Sequence, residues 1–251
     1  MFYVVDYSFA VVLCFISMLC WGSWGNAQKL VGRGWRYELF YWDFVLGLLL
    51  FSGLAGLTLG SCGEKESWSF WANIKASFGW AWLWPFLAGI VFNASNILFS
   101  ASIAIAGMAV AFPIGSGIAG VGGTALNYLM VPGGKSFGLI AVGLTFVVMS
   151  IVCSALAFKS REAADGMSRN GDSTTKGLVF ALIAGLLMMW FSPLVNRVLD
   201  NDFETSAPAA GRMTAYSAFF VFSAGVFLSN FLWNSLAMKR PISGAPVPYS
   251  A

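Results

Sequence analysis

Apolar residues in this chain come in long unbroken blocks, not in the alternating or one-sided patterns of soluble strands and helices. From Ala76 to Gly134 there is no Lys, Arg, Asp or Glu at all. That is enough chain for two membrane spans of about 20 residues each and a tight turn. Charge-free intervals predict seven spans: Tyr7–Gln28, Phe44–Gly60, Trp80–Ile103, Ala106–Leu129, Phe137–Phe158, Gly177–Asn196 and Met213–Met238. Ala106-Gly107 is the expected turn within the long block. The predicted fold is an all-α, polytopic membrane protein.

Within these blocks, polar and small residues fall in lines at helical spacing. Segment one carries Ser17, Trp21, Trp24 and Gln28 on one face, and segment three carries Asn93, Asn96 and Ser100. Segment four lines up Pro113, Gly117, Gly120, Thr124 and Asn127, and segment seven Tyr216, Ser223, Asn230 and Asn234. In hydrocarbon, such groups face protein, water or a ligand. Two readings follow: contact surfaces between helices, or the wall of a cavity for a neutral polar solute held by amides and aromatic faces. Pro113 and Pro193 are expected to kink their helices, with Gly117 and Gly120 as packing positions.

The loops add an internal pattern. The only long polar stretch, Lys159–Lys176, divides the chain into five spans and two. Trp21-Gly22-Ser23 with Gln28-Lys29 at the end of segment one is echoed by Trp190-Phe191-Ser192 with Asn196-Arg197 at the end of segment six. An odd number of spans separates the copies, so they insert in opposite directions, as in the inverted repeats of secondary transporters. The expected organisation is a first five-helix repeat over 1–158, an inside linker over 159–176, and the start of an inverted second repeat over 177–251. Ser192 and Asn196 thereby join the candidate binding residues. Nine of the 14 Lys and Arg residues fall in loops that are inside if the N-terminus is outside, which favours that orientation in a cell membrane.

Composition narrows the function. Of 251 residues, 58% are apolar and 10% charged, leaving no room for a separate soluble domain. A net charge of +3 without a dense basic run gives no reason to expect nucleic acid as a partner. The partners expected are a small-molecule solute and the lipid bilayer, and no signal for an oligomeric state is present. The absence of His removes the commonest general base and zinc ligand. Cys14, Cys20 and Cys153 lie in apolar segments as expected packing residues, Cys62 in a loop, and their spacing fits no metal motif. No cofactor, metal or catalytic residue is expected. Asp6 precedes the first apolar block and no basic residue does, so that block reads as a permanent helix, not a signal peptide.

Asp43, after Tyr41-Trp42 at the entrance of segment two, is the one carboxylate expected close to a helix. It is either a proton-coupling site or an interfacial charge paired with Lys29, Arg33 or Arg36. Arg197 is either a helix-end residue reaching the interface or a substrate ligand.

The ordered set Leu19–Gly25, Lys29–Arg36, Tyr41-Trp42-Asp43, Leu57–Gly60, Ala88–Val91, Asn96, Gly123–Tyr128, Phe191-Ser192-Pro193 with Asn196, and Tyr216–Ser223 resembles the ureide permease family. That family belongs to the drug/metabolite transporter superfamily, which also holds bacterial glucose and rhamnose permeases. The resemblance implies proton-coupled uptake of allantoin-like ureides, uracil or related heterocycles, with sugars for bacterial members. It also implies ten helices in two inverted sets of five, against which this chain reads as truncated after the seventh. The Walker A-like motif of the plant proteins' central loop has no counterpart in Lys159–Lys176. A drug/metabolite exporter and a seven-helix receptor are the competing functions. A retinal protein needs a Lys within its last helix, and Met213–Met238 has none.

Overall fold

The computed structural model describes residues 1–30, 36–63, 65–130, 136–164, 171–202, 205–241 and 245–247. The side chains of a few residues within helices, Trp24 and Gln28 among them, lie outside that description. The chain forms α1 (Tyr7–Leu30), α2 (Tyr37–Leu57), α3 (Phe70–Ala76), α4 (Trp80–Ala106), α5 (Met108–Met130), α6 (Phe137–Ala164), α7 (Gly171–Met188), α8 (Phe191–Asn196) and α9 (Ala215–Lys239). No strand occurs among the described residues. Among the described residues, five stretches are long and apolar enough to cross a membrane: α2, α4, Phe137–Ala157 of α6, Thr175–Asn196 through α7 and α8, and α9. A further apolar stretch, Tyr7–Ser23, lies in α1. Helix occupies every segment expected to span, and the chain is an all-α, polytopic membrane protein.

Three expected boundaries are corrected. Segment two begins at Tyr37 rather than Phe44, because Glu38 is tolerated inside the helix by a forked ion pair with Arg36. Helix also runs through residues 159–164 and resumes at Gly171, so the polar linker is shorter than its charge pattern suggests. Segment six is broken at Met189–Trp190. There Pro193 has no N–H to give the Met189 carbonyl four residues earlier, and Trp190 N–H bonds Leu187 in a tighter turn.

The core is α4 with α7 packed along one side and α9 along another. Ser95 and Ser102 of α4 donate to the carbonyls of Ala184 and Gly177 on α7, both at 2.7 Å. The steps are seven residues on each helix, in antiparallel register. Against α9 the approach is closer still. A Cβ on Gly89 would lie 2.2 Å from the Phe222 carbonyl oxygen, and one on Gly225 would lie 2.4 Å from that of Phe86. Small residues let helix backbones meet where apolar side chains gain nothing over lipid. Gly107, at φ 80°, turns α4 directly into α5, a left-handed geometry that suits glycine.

One face of the molecule carries the N-terminus, the connection from α2 to α4, and the loop between α8 and α9. Phe2 N–H bonds Leu59, and the Tyr216 hydroxyl donates to the Phe2 carbonyl. The α2–α4 connection contains a 3-10 turn (Glu66–Trp68) and α3, which starts on a capping bond from Ala72 N–H to the Ser69 hydroxyl. The α8–α9 loop clasps it. Lys65 and the Trp68 indole both donate to the Thr205 carbonyl, and Ser67 donates to Ser206. Asn73 bonds Arg212 and Thr214. At the opposite face lie Arg36, the α4–α5 turn and the start of α7.

Candidate substrate cavity

Two cavities meet inside the helix bundle. The larger, about 720 Å³, lies between α1, α2, α4, α8 and α9; the smaller, about 240 Å³, lies between α4, α5 and α7. Trp21, Asn96 and Phe191 line both. Among the described residues, no charged side chain lines either one.

An aromatic group surrounds the junction. Phe92 lies 5.4 Å from Phe191 and 5.1 Å from Phe222, both edge-on, and Trp21 reaches to 6.0 Å from Phe92. These are ordinary distances for attractive aromatic pairs. Asn96 is 2% exposed, and its Oδ1 has no hydrogen-bond partner among the described residues. Tyr41 of α2, equally buried, sits beside it, with its hydroxyl close to the Asn96 side chain. A buried, unsatisfied amide costs free energy unless something bonds it. The smaller cavity exists because its walls are small: Gly115, Ser116, Ala119 and Gly120 of α5 face Ala184 and Gly185 of α7. A Cβ on Gly120 would meet nothing within 4 Å.

Ser192 and Asn196 also line the larger cavity, and they bond to α5. Asn127 donates to Ser192 at 2.9 Å, and Asn196 donates to Asn127 at 2.8 Å and to Ser192 at 3.3 Å. This polar triad ties α8 to α5 beside the cavity.

The other expected residues lie elsewhere. Asn93 faces α9, donating to the Val226 carbonyl at 3.1 Å and Ser229 at 2.9 Å. Asn234 donates to the Glu38 carbonyl at 2.8 Å, and Asn230 is fully buried with neither amide atom partnered among the described residues. These three form a polar seam between α9 and its neighbours α4 and α2, outside the cavity lining. Tyr216 holds the N-terminal segment. Trp24 and Gln28 belong to α1, but their side chains lie outside the described residues. Pro113 is buried within α5, Gly117 abuts Ile151 of α6, and Pro193 is buried in α8. Arg197 places its guanidinium 4.0 Å from the centre of the Trp84 ring, a cation–π contact at the helix end. Cys14, Cys20 and Cys153 are exposed on their helices, not packed within the core.

Asp43 is exposed on the second turn of α2 and lines neither cavity. It is not the only carboxylate on a helix: Glu38 is 0% exposed and held by Arg36 at 2.5 and 3.2 Å. Arg36 in turn donates to the Ala245 carbonyl at 2.5 Å. A signal for Glu38 was present, since Glu38, Tyr41 and Val45 share one buried helical face.

The ureide permease family model matches residues 160–250. Similar curated proteins extend over nearly the whole chain. Ureide permease 1 of Arabidopsis thaliana is 24% identical over 97% of this chain and 75% of its own length. Ureide permease 5 of Arabidopsis thaliana is 22% identical over 97% and 73%. Probable ureide permease A3 of Vigna unguiculata is 24% identical over 94% and 78%. No solved structure matches the chain at a significant level. The resemblance first carried by scattered motifs thus extends along the chain, which is similar to ureide permeases over nearly its whole length.

Proposed function

We propose that the chain is a secondary active transporter of a small, neutral, polar solute of the ureide or nucleobase kind. The observation that carries this reading is the Asn96 amide oxygen, buried and without a hydrogen-bond partner among the described residues, where two cavities meet among aromatic faces. A planar molecule bearing amide N–H and C=O groups would satisfy Asn96 while stacking on Trp21, Phe92 or Phe191. A charged solute would find no counter-ion among the described residues there. The names of the similar proteins point the same way. The inverted-repeat organisation is part of the reading. Its support is that α1 starts at the face holding Leu59 and Tyr216, whereas α7 starts at the face holding Ala106.

The driving ion in this reading is a proton taken up on α2. Asp43 is the accessible carboxylate there, and neutralising it on a membrane helix removes a costly charge. Glu38 is the rival site, buried and already paired. Uptake of labelled allantoin, uracil and glucose into proteoliposomes, with and without an inward proton gradient, tests the whole reading. Gradient-dependent entry of allantoin or uracil is expected, lost in Asn96→Leu and in Gly120→Leu, whose side chain fills the smaller cavity. Entry of none of the three solutes removes the proposal. Asp43→Asn is expected to abolish gradient stimulation; if it does not and Glu38→Gln does, coupling belongs to Glu38.

A further inference from the structure

The clasped face holds a third space, unconnected with the transport reading. A groove of about 600 Å³ runs between the last turns of α2, the side of α3 and the start of α9. Gly53 and Phe220 line one part of it, buried Phe70 and Ile74 another. Its exposed members are Leu57, Trp71, Lys75 and Phe78, with Trp71 58% and Phe78 75% accessible. Among the described residues its polar side-chain groups are the Lys75 ammonium and the indole N–H groups of Trp71 and Trp82. Lys75 makes no ion pair among the described residues and lies 5.4 Å from the Trp71 ring centre. The Trp82 indole N–H is buried and has no partner among the described residues.

Three observations identify what fits. The groove continues an exposed apolar line on α2, Leu50, Leu54 and Leu57, the kind of surface that faces acyl chains. Exposed Trp71, Phe78 and Trp80 mark the level at which aromatic residues sit between hydrocarbon and headgroups. Lys75 stands where an apolar slot meets that level, and lysine there attracts an anionic headgroup. The slot is also rigid, since the α8–α9 loop clasps α3 and the turn before it. We propose that this groove binds one anionic phospholipid, with an acyl chain lying along Phe70 and Ile74 toward Gly53 and the phosphate on Lys75.

The test uses the full chain in nanodiscs of phosphatidylcholine containing phosphatidylglycerol, with bound lipid counted by native mass spectrometry after gentle extraction. The wild type is expected to retain one phosphatidylglycerol in preference to phosphatidylcholine. Lys75→Ala should lower that preference about fivefold, and Lys75→Arg should restore it. Gly53→Leu should reduce retention of both lipids. A Cβ there meets only the Phe220 ring at 3.6 Å, so the added side chain fills the groove without striking backbone. Lys239→Ala, at the far end of α9 and outside the groove, should leave the preference unchanged. Equal retention of the two lipids by the wild type overturns the proposal. So does a Lys239→Ala effect as large as that of Lys75→Ala, or inorganic phosphate alone giving the same Lys75-dependent stabilisation in a thermal melt.

Discussion

Helices α1 and α7 are the two that the chain's internal echo pairs, and they are packed in opposite ways. On α7, Gly177, Ala181, Ala184, Gly185 and Met188 are buried against α4 and α5. On α1, Phe9, Val12, Phe15, Ile16, Met18 and Leu19 are all exposed, and Trp21 supplies the ring contact to α4. Both helices are apolar, so apolarity does not explain the difference. In a bilayer it should not, because lipid is as good a solvent for leucine as another helix is. What α7 has is a line of small residues at helical spacing that admits the backbone of a neighbour. The apolar blocks determine which segments enter the membrane; the small residues determine which helices then meet.

The largest expected effect tests that claim at its tightest point. In Gly89→Ala the new methyl would lie 2.2 Å from the Phe222 carbonyl oxygen and 2.8 Å from the Val226 nitrogen, both backbone atoms. Neither can rotate away, so α4 and α9 must separate. A loss of about 3 kcal/mol is expected in SDS-titration unfolding, the upper range for overpacking. Gly185→Ala strikes the Gly115 carbonyl at 2.8 Å but also the movable Ile118 side chain. About 2 kcal/mol is expected there in the same titration. Should both variants unfold like the wild type, close backbone approach is not what holds α9 to α4 and α7 to α5.

These contacts also show why some of the structure was legible in the sequence and some was not. The spans were legible because a bilayer requires each backbone group to be bonded within its own helix, which forces long apolar blocks. The start of α2 was missed because a charge was read as a boundary, whereas Arg36 lets Glu38 lie inside the helix. Helix α3 was missed because it is short and bounded by charged residues, although Ser69 before the apolar positions Phe70 and Ile74 is a helix-start signal. The polar stripes were legible as lines but not as destinations. Asn93 and Asn96 are three residues apart, roughly 60° around a helix of 3.6 residues per turn. That is enough to turn one toward α9 and leave the other at the cavities.

A smaller effect separates polar tethering from close packing. Asn127→Leu removes the α5 member of the triad with Ser192 and Asn196. Interhelical hydrogen bonds in membranes average below 1 kcal/mol because the separated helices find other partners. A loss of about 1 kcal/mol is expected in the same titration, well below that of Gly89→Ala. A loss equal to or larger than the glycine effect would mean that polar bonds, and not small residues, set the order of packing.

The smallest effect belongs to α1. A Cβ on Gly22 would meet nothing within 4 Å, so Gly22→Ala introduces no clash, and alanine favours the helix over glycine by just under 1 kcal/mol. Both helices therefore gain the same intrinsic propensity from a Gly→Ala change, and subtracting it isolates the packing term. The expected result for Gly22→Ala is unchanged or slightly raised stability, within about 1 kcal/mol, against a clear loss for Gly185→Ala. If Gly22→Ala were instead as damaging as Gly185→Ala, α1 would have to press its Gly22 face against a backbone in the folded protein. The echo between Trp21-Gly22-Ser23 and Trp190-Phe191-Ser192 would then extend from sequence to packing, and the contrast between the two helices would fail.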